Sequence, residues 1–329
     1  MVMMGTTGQP VQMSEMQSTF QFQLKLPALP PLIGIQSAYA DQLITFNDDY
    51  VDDCQQSGAG ANNANCDTIV VDGISNAIQD PPAGTSNLYD VIVNADGLNN
   101  CDEFDAGDNN VDCINEPTHL VGPVSQKNTP SLNPFGTNEI DIVTDDNMLN
   151  DCSESGNGDN NAACNNAGSD AIVEITQENF VNPTIDIGVN FVYSNDINTL
   201  QGFDETNDCD EAGDGNSDAT CSNDLDNLIG PIDQLNFVIS PTPNTAHSNN
   251  VEVSQIGIAE NDCNESGAGT GINDATCTIE AANTIDPLSP IEQSNEVNGV
   301  DNVVQTNDFS ISQAFDVENA CNEFEDGTN

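Results

Sequence analysis

The segment DCDEAGDGNSDATC, which ends at Cys221, concentrates carboxylates between two cysteines. Carboxylate oxygens are the hard donors that Ca²⁺ prefers, and several of them can surround one ion within a short loop. The spacing therefore predicts a calcium-binding loop. Acidic turns that only face solvent are the alternative, because the loop lacks EF-hand order and the equivalent loop of the first unit, QQSGAGANNAN, has no acid. The predicted ligands are Asp208, Asp210, Asp214 and Asp218.

Cysteines recur with a regular spacing along the 329 residues. A first cysteine is followed by a second twelve positions later in four units and fourteen later in the fifth. With no CxxC and only two histidines, the eleven cysteines indicate disulfides rather than zinc or redox sites. Each disulfide would contribute roughly 3 kcal/mol in the chain-entropy model. The predicted pairs are Cys54–Cys66, Cys101–Cys113, Cys152–Cys164, Cys209–Cys221 and Cys263–Cys277.

Cys321 opens a sixth unit, and residue 329 comes before the position where its second cysteine would fall. This eleventh cysteine predicts either a bridge between subunits or a chain that continues further. A disulfide framework also predicts an oxidising compartment, so the protein is expected outside the cell or at its surface. The nearly uncharged residues 1–40 end in Ala38-Tyr39-Ala40, the form of a signal cleavage site, and we interpret them as a signal or leader segment.

Several kinds of function are excluded by composition and motif. Fifty-five acidic residues against Lys25 and Lys127 give a formal charge of −53, so phosphate backbones would be repelled and no nucleic-acid partner is expected. Neither lysine lies in the glycine frame of a phosphate loop, and neither HExxH nor GxSxG occurs. No segment after the leader approaches the ~20 apolar residues of a membrane span. We expect no enzyme activity and no transmembrane segment.

The elements that carry the cysteines repeat about every fifty residues. A glycine such as Gly215 follows each first cysteine by six positions, which indicates positive φ or a close backbone approach. A strand pattern precedes each first cysteine, as at Ile140 and Ile142. A second strand, with an aliphatic residue, a Gln and an Asn on one face, follows the second cysteine in units two to five, and the first unit fits only at Gln79.

A two-stranded unit cannot bury an apolar face alone, so the units should stack like strand on like strand. The Gln and Asn side chains would then align in hydrogen-bonded ladders at the strand spacing. Strand faces that are simply solvated are the alternative. The predicted ladder residues are Gln79, Gln126, Asn128, Gln177, Asn179, Gln234, Asn236, Gln293 and Asn295.

This strand pattern resembles that of curlin-type β-solenoid fibre subunits, whose repeats carry regularly placed inward Gln and Asn. The resemblance covers the strands and implies an extracellular fibre or matrix subunit. The cysteine loops are similar to the disulfide-flanked, Asp/Asn-rich calcium loops of thrombospondin type 3 units, which implies bound Ca²⁺. Curlin repeats are less than half as long, lack the cysteine loop and are less acidic.

The predicted fold is all-β, either a β-solenoid or stacked two-strand units, with one disulfide-closed loop per repeat. The predicted organisation is a leader over residues 1–40, then repeats over 41–100, 101–151, 152–208, 209–262 and 263–320, and an incomplete repeat over 321–329.

The predicted function is an extracellular structural repeat protein that binds cations and associates with itself or with surface and matrix components. A calcium-dependent adhesin is the alternative. A β-helix polysaccharide-processing enzyme is a third reading, which requires acids gathered on one solenoid face.

Overall fold

The chain is described here from a computed structural model, which covers residues 21–24, 40–55, 62–74, 77–79, 86–104, 107–129, 135–181, 191–213, 215–239, 244–267, 273–285, 291–298 and 302–325. Strands fill almost all of these residues, and no helix occurs among them, so none of them offers a membrane-spanning helix. The strands form three sheets whose members repeat along the chain. The predicted all-β repeat fold is confirmed.

The first sheet, called the long-strand sheet, contains the longest strands. Numbered in chain order, its members are β1 (Gln21–Leu24), β2 (Ala40–Asp53), β5 (Ser86–Asn100), β6 (Glu103–Phe104), β9 (Phe135–Gly156), β12 (Phe191–Gly213), β15 (Asn244–Gly267) and β18 (Asn302–Glu325). They lie in this order across the sheet, except that β6 pairs with β9 beside the main path. All pairs are parallel except β1 with β2, which is antiparallel.

Two further parallel sheets lie opposite the long-strand sheet. The cysteine sheet contains β3 (Asn62–Ile74), β7 (Asn109–Val121), β10 (Asn160–Ile172), β13 (Ser217–Ile229) and β16 (Asn273–Ile285). The glutamine sheet contains β4 (Ala77–Gln79), β8 (Val124–Asn128), β11 (Ile175–Val181), β14 (Ile232–Ile239) and β17 (Ile291–Asn298). Each strand is followed in its sheet by the equivalent strand of the next repeat.

The chain is therefore a flat, two-layered β-solenoid. Each coil runs through a long strand, turns back into a strand of the cysteine sheet, and continues into a strand of the glutamine sheet, as β12, β13 and β14 do. Coils 1 to 5 are β2–β4, β5–β8, β9–β11, β12–β14 and β15–β17, and β18 begins a sixth. Of the two predicted arrangements, the structure is the solenoid.

Each coil has one strand more than the sequence predicted. The inward row of β13 consists of Ser, Ala, Cys, Asn and Leu residues between Ser217 and Ile229, with few β-branched side chains to mark a strand. Pairing with β10 and β16 on either side supplies the strand hydrogen bonds. The predicted cysteine loop is thus mostly strand, and β12 ends at Gly213 only shortly before β13 begins.

The structural coils are also out of phase with the predicted repeats. A boundary at residue 209 cuts through β12, because each long strand runs past its cysteine. Of the predicted leader, β1 and Ala40 are described, and β1 pairs with β2 over Gln42 to Thr45. The remainder of residues 1–40, and residues 326–329 of the incomplete repeat, lie outside the described residues.

Strict alternation of buried and exposed residues places one row of each strand between the layers. Aliphatic side chains form the central column of this interior, such as Ile197, Ile229 and Ile232 in coil 4. Fully burying one such side chain stabilises the fold by roughly 1.5–3 kcal/mol. Cysteines and alanines form a second column next to the turn that joins the layers. Amide side chains occupy the rows between these columns.

The glycine of the cysteine turn is explained by close packing of successive turns. A Cβ at Gly215 would overlap the carbonyl oxygen of Gly158, and one at Gly158 would overlap that of Gly107. The backbones of neighbouring turns therefore approach too closely for any side chain. Of the two explanations that the sequence allowed, close backbone approach is the one found at these positions.

Candidate functional site

The predicted glutamines form one continuous column through the five coils. Their side chains are buried in coils 1 to 4, and Gln293 in coil 5 is half-buried. Each amide nitrogen donates to the preceding glutamine over 2.8–3.0 Å: Gln126 to Gln79, Gln177 to Gln126, Gln234 to Gln177 and Gln293 to Gln234. The other N–H of each donates to a carbonyl of the facing long strand, as Gln177 does to Asp196 at 3.0 Å. Gln126, Gln177, Gln234 and Gln293 thus each donate one hydrogen bond along the column and one across the interior.

The predicted asparagines form a second column in the glutamine sheet. Asn128 donates to Asn179, Asn179 to Asn236 and Asn236 to Asn295 over 2.8–3.0 Å. These amides also reach across the interior, since Asn179 donates to Asn195 at 2.9 Å. The amide rows thus connect coils along the solenoid and connect the two layers within a coil.

Four further amide columns of three or more residues were not predicted. The signals were present, because Asn occurs two residues before five of the six first cysteines and Gln follows the strand residues in three units. Their function depends on the register between coils, which the sequence does not show directly. These columns comprise Asn87, Asn138, Asn195, Asn249 and Asn307; Asn99, Asn150, Asn207, Asn261 and Asn319; Asn115, Asn166 and Asn223; and Gln201, Gln255 and Gln313.

Four cysteine pairs are joined within their coils as the spacing predicts. They are Cys54–Cys66, Cys101–Cys113, Cys152–Cys164 and Cys209–Cys221. In each, the first cysteine lies at the end of a long strand and the second near the start of the cysteine-sheet strand. Each disulfide therefore ties the two layers together beside the turn.

The fifth pairing differs from the prediction. Cys277 is bonded to Cys321 of the next long strand, and Cys263 is a buried thiol with its Sγ 4.0 Å from the Thr276 carbonyl. The three sulfur atoms all lie within 4.8 Å of one another. Stacking thus brings a cysteine of the following coil as near as the cysteine of the same coil. Cys321, for which the sequence predicted a bridge between subunits or a chain that continues further, has its partner within the chain.

The four predicted calcium ligands are not brought into one site. Asp208 and Asp210 lie on the outer face of β12, whereas Asp218 lies on the outer face of β13, on the opposite side of the solenoid. The cause is strand alternation, because the cysteines occupy the inward row and the aspartates take the outward rows of both layers. Asp214 lies outside the described residues.

Asp208 instead belongs to an outer row of acids. Asp151, Asp208 and Asp262 are in register on three neighbouring long strands. Burial, and after it the negative charges of Asp210, Asp151, Asp262 and Glu260, raise the pKa of Asp208 to about 6. We call Asp151, Asp208 and Asp262 the outer acidic row. Its carboxylates repel one another and are reachable from solvent.

A column of glutamates lies inside the cysteine turn. The second residue after the first cysteine is in register from coil to coil: Glu103, Glu154, Glu211, Glu265 and Glu323. The first three are buried, and Glu103 and Glu211 accept backbone N–H groups at the start of the cysteine-sheet strands, from Asn110 and Ala162 respectively. The signal in the sequence is a Glu two positions after five of the six first cysteines.

Ionisation of the buried carboxyl groups of Glu103 and Glu154 is unfavourable, and their pKa values are raised. Burial, followed by the neighbouring charge of Glu103, raises the pKa of Glu154 to about 8, although backbone hydrogen bonds from Val111 and Asn161 act in the opposite direction. Burial also raises the pKa of Glu103. The Glu154 carboxyl group is therefore protonated at mildly acidic pH.

Comparisons with protein-family models, with curated proteins and with solved structures gave no match for this chain.

Proposed function

We propose that this chain is an extracellular structural protein, a subunit of a fibre, surface layer or matrix that lengthens by stacking coil on coil. The observation that carries this proposal is the register of the coils, in which like strand pairs with like strand and amide columns run from coil to coil. The same register brings an interior row onto β18. Phe309, Ile311 and Val317 are in register with the buried residues of β15, yet they are 51%, 41% and 52% exposed. Among the described residues no further coil covers this row.

One more coil would bury this row and continue the ladders. Asn307, Gln313 and Asn319 already extend the amide columns onto β18. At the other end of the described solenoid, β3 and β4 are the last strands of their sheets, and β1 pairs with only four residues of β2. A second copy that stacks head to tail makes a contact that does not close, and such contacts generate filaments.

Disulfides and surface charge support an extracellular role. Four disulfides join the two layers within their coils. Such bonds form and persist in oxidising compartments, which include the space outside the cell. A formal charge of −53 opposes stacking of copies unless cations reduce the repulsion. We propose that divalent cations such as Ca²⁺ bind along the outer acidic row and permit assembly.

Electron microscopy of the purified chain with and without added Ca²⁺ tests this function. We expect filaments in Ca²⁺ and fewer or none in EDTA. Ile311→Lys places a charge in the exposed interior row and should abolish filaments. Ser312→Lys adds the same charge on the outward face of the same strand and should leave them intact, with circular dichroism checking that both variants fold. Wild-type protein that stays monomeric in Ca²⁺ at all concentrations contradicts the proposal.

A cation-dependent adhesin is the second candidate. The observation that favours it is that the outer acidic row faces solvent, where a bound cation could also contact a partner. In that case Asp208→Asn should abolish Ca²⁺-dependent binding of cells or matrix while filaments are absent in both wild type and variant.

A further inference from the structure

A group of titratable side chains interrupts the repeating rows of the interior in coils 2 and 3. There His119, Asp146 and Asp170 lie together, all with 0% exposure. The His119 Nε2 is 2.7 Å from the Asp146 Oδ1, and one ligand atom from each of the three residues lies within 4.8 Å of the others. Unlike the amide columns, this group does not repeat in the other coils.

The strand register explains how these side chains meet. Asp146 on β9 and Asp170 on β10 face one another across coil 3, at positions equally distant from the Cys152–Cys164 disulfide. His119 lies on β7 directly beside Asp170. Two neighbouring coils therefore contribute an imidazole and two carboxylates to one point of the interior.

A third carboxylate enters from the next coil. Glu205 on β12 is 0% exposed, and neither of its carboxylate oxygens has a hydrogen-bond partner among the described residues. Its Oε1 occupies the space over Gly168, where a Cβ would lie 2.6 Å away. Gly168 is two residues before Asp170 on the same inward row, so Glu205 is aimed beside the His119–Asp146–Asp170 group.

The protein supplies little positive charge for these acids. Burial raises the pKa of Glu205 well above its usual range, and the negative charges of Asp146 and Asp170 raise it further. The same two causes, burial and then the charge of Asp146, act on Asp170, while His119 acts in the opposite direction. Lys127, the only lysine in the described part, pairs with Glu178 at 2.8 Å on the outer face.

Buried carboxylates without compensation are strongly unfavourable, and they are found protonated, paired or bound to a metal ion. We propose that His119, Asp146 and Asp170 bind one divalent first-row transition-metal ion inside the solenoid, with the Glu205 carboxylate beside them balancing its charge. An imidazole nitrogen together with carboxylate oxygens suits ions such as Mn²⁺ and Zn²⁺, whereas Ca²⁺ takes oxygen ligands alone. The ion links coils 2 and 3, and the Glu205 carboxylate approaches from coil 4.

This site is distinct from cation binding on the outer acidic row. With no solvent-exposed ligand, the ion enters while the coils fold and is retained once they have closed, because metal binding is coupled to folding. EDTA added to the folded protein removes outer cations and leaves the buried ion in place. EDTA present during refolding removes both.

The test refolds the full chain from denaturant in three buffers, containing Mn²⁺, Zn²⁺ or EDTA, followed by extensive dialysis of the folded protein against EDTA. Elemental analysis should find a single ion per chain after refolding with Mn²⁺ or Zn²⁺, together with a higher melting temperature than the EDTA-refolded protein. Absence of a retained ion, with equal melting temperatures in all three buffers, overturns the proposal and means that protons neutralise the cluster.

Isosteric variants separate metal binding from a general effect on folding. Asp170→Asn and Glu205→Gln should reduce retained metal, yet raise the melting temperature of the EDTA-refolded protein because each removes one buried acid. Asp208→Asn on the outer face is the matched control and should retain the ion. Retention of the ion by both cluster variants also overturns the assignment. Filament formation is scored separately, so the two proposals can fail independently.

Discussion

Gln177 illustrates how a polar residue stabilises this interior. Its amide donates to the Gln126 side chain and to the Asp196 carbonyl, and its oxygen accepts from Gln234. The amide nitrogen thus donates twice, and the side-chain oxygen accepts once. Burying an amide costs little free energy when all its hydrogen bonds are made. Removing one partner leaves the neighbouring amides buried without a hydrogen bond, and each then contributes its full desolvation penalty.

We therefore expect Gln177→Leu to lower the free energy of unfolding by about 2–3 kcal/mol, because one mid-column amide leaves several buried partners without a hydrogen bond. The matched control is Gln293→Leu at the half-buried end of the same column, where water can replace the lost contacts and the loss should stay under about 1 kcal/mol. Urea denaturation measures both. Equal, small losses would show that the columns do not stabilise the fold.

At the scale of elements, the cysteine turn joins a long strand to a strand of the cysteine sheet. Its disulfide lies beside the Asn columns, and its glycine permits backbone contact between successive turns. Because equivalent turns stack, a second cysteine can have the first cysteine of the next coil nearby; Cys66 lies near Cys101, and Cys221 lies with Cys209 and Cys263 in one group. Pairing is therefore a choice between two near sulfur atoms.

This choice predicts the result of Cys321→Ser. Without Cys321, the Cys277 sulfur has Cys263 within 4.8 Å, so a Cys263–Cys277 disulfide should form. Alkylation in denaturant without reductant, followed by peptide mass spectrometry, should label Cys263 alone in the wild type and no cysteine in the variant. As a control, Cys263→Ser should leave the Cys277–Cys321 bridge unchanged. Labelling of both Cys263 and Cys277 in the Cys321→Ser protein contradicts the prediction.

At the scale of the whole molecule, the many carboxyl groups lower the free energy of unfolding near neutral pH. Every carboxyl group with a resolved shift has its pKa raised, in most cases first by burial and then by neighbouring acids, as at Glu154, Asp208 and Asp145. A carboxyl whose pKa is higher in the folded than in the unfolded chain binds more protons when folded. Folding is then favoured at low pH, and this contribution is lost as the pH rises through the folded pKa.

We expect the free energy of unfolding to fall between pH 5 and 8, the window set by Glu154, whose pKa rises from 4.5 to about 8. One such proton contributes a slope of about 1.4 kcal/mol per pH unit. Urea denaturation at constant ionic strength measures the profile. Glu154→Gln should make it shallower, while Glu252→Gln on the exposed outer face should not. Stability that rises with pH across this window contradicts the expectation.

Much of the architecture was accessible from sequence. Repeated cysteines, the turn glycine and the Gln and Asn rows around Gln177 and Asn179 predicted an all-β repeat that stacks in register, because strand periodicity and spacing are local properties. The same local reasoning missed β13 and its equivalents. Their inward row is small and polar, so their strand character arises from neighbours above and below.

What sequence alone determined is the unit: its period, its turn with two cysteines and its rows of amides. Tertiary stacking decided which atoms meet between units. It separated Asp218 from Asp208, paired Cys277 with Cys321 and brought together His119, Asp146 and Asp170 from two coils. The physical reason is that alternation sends neighbouring residues to opposite faces, while parallel register brings residues some fifty positions apart to within one strand spacing.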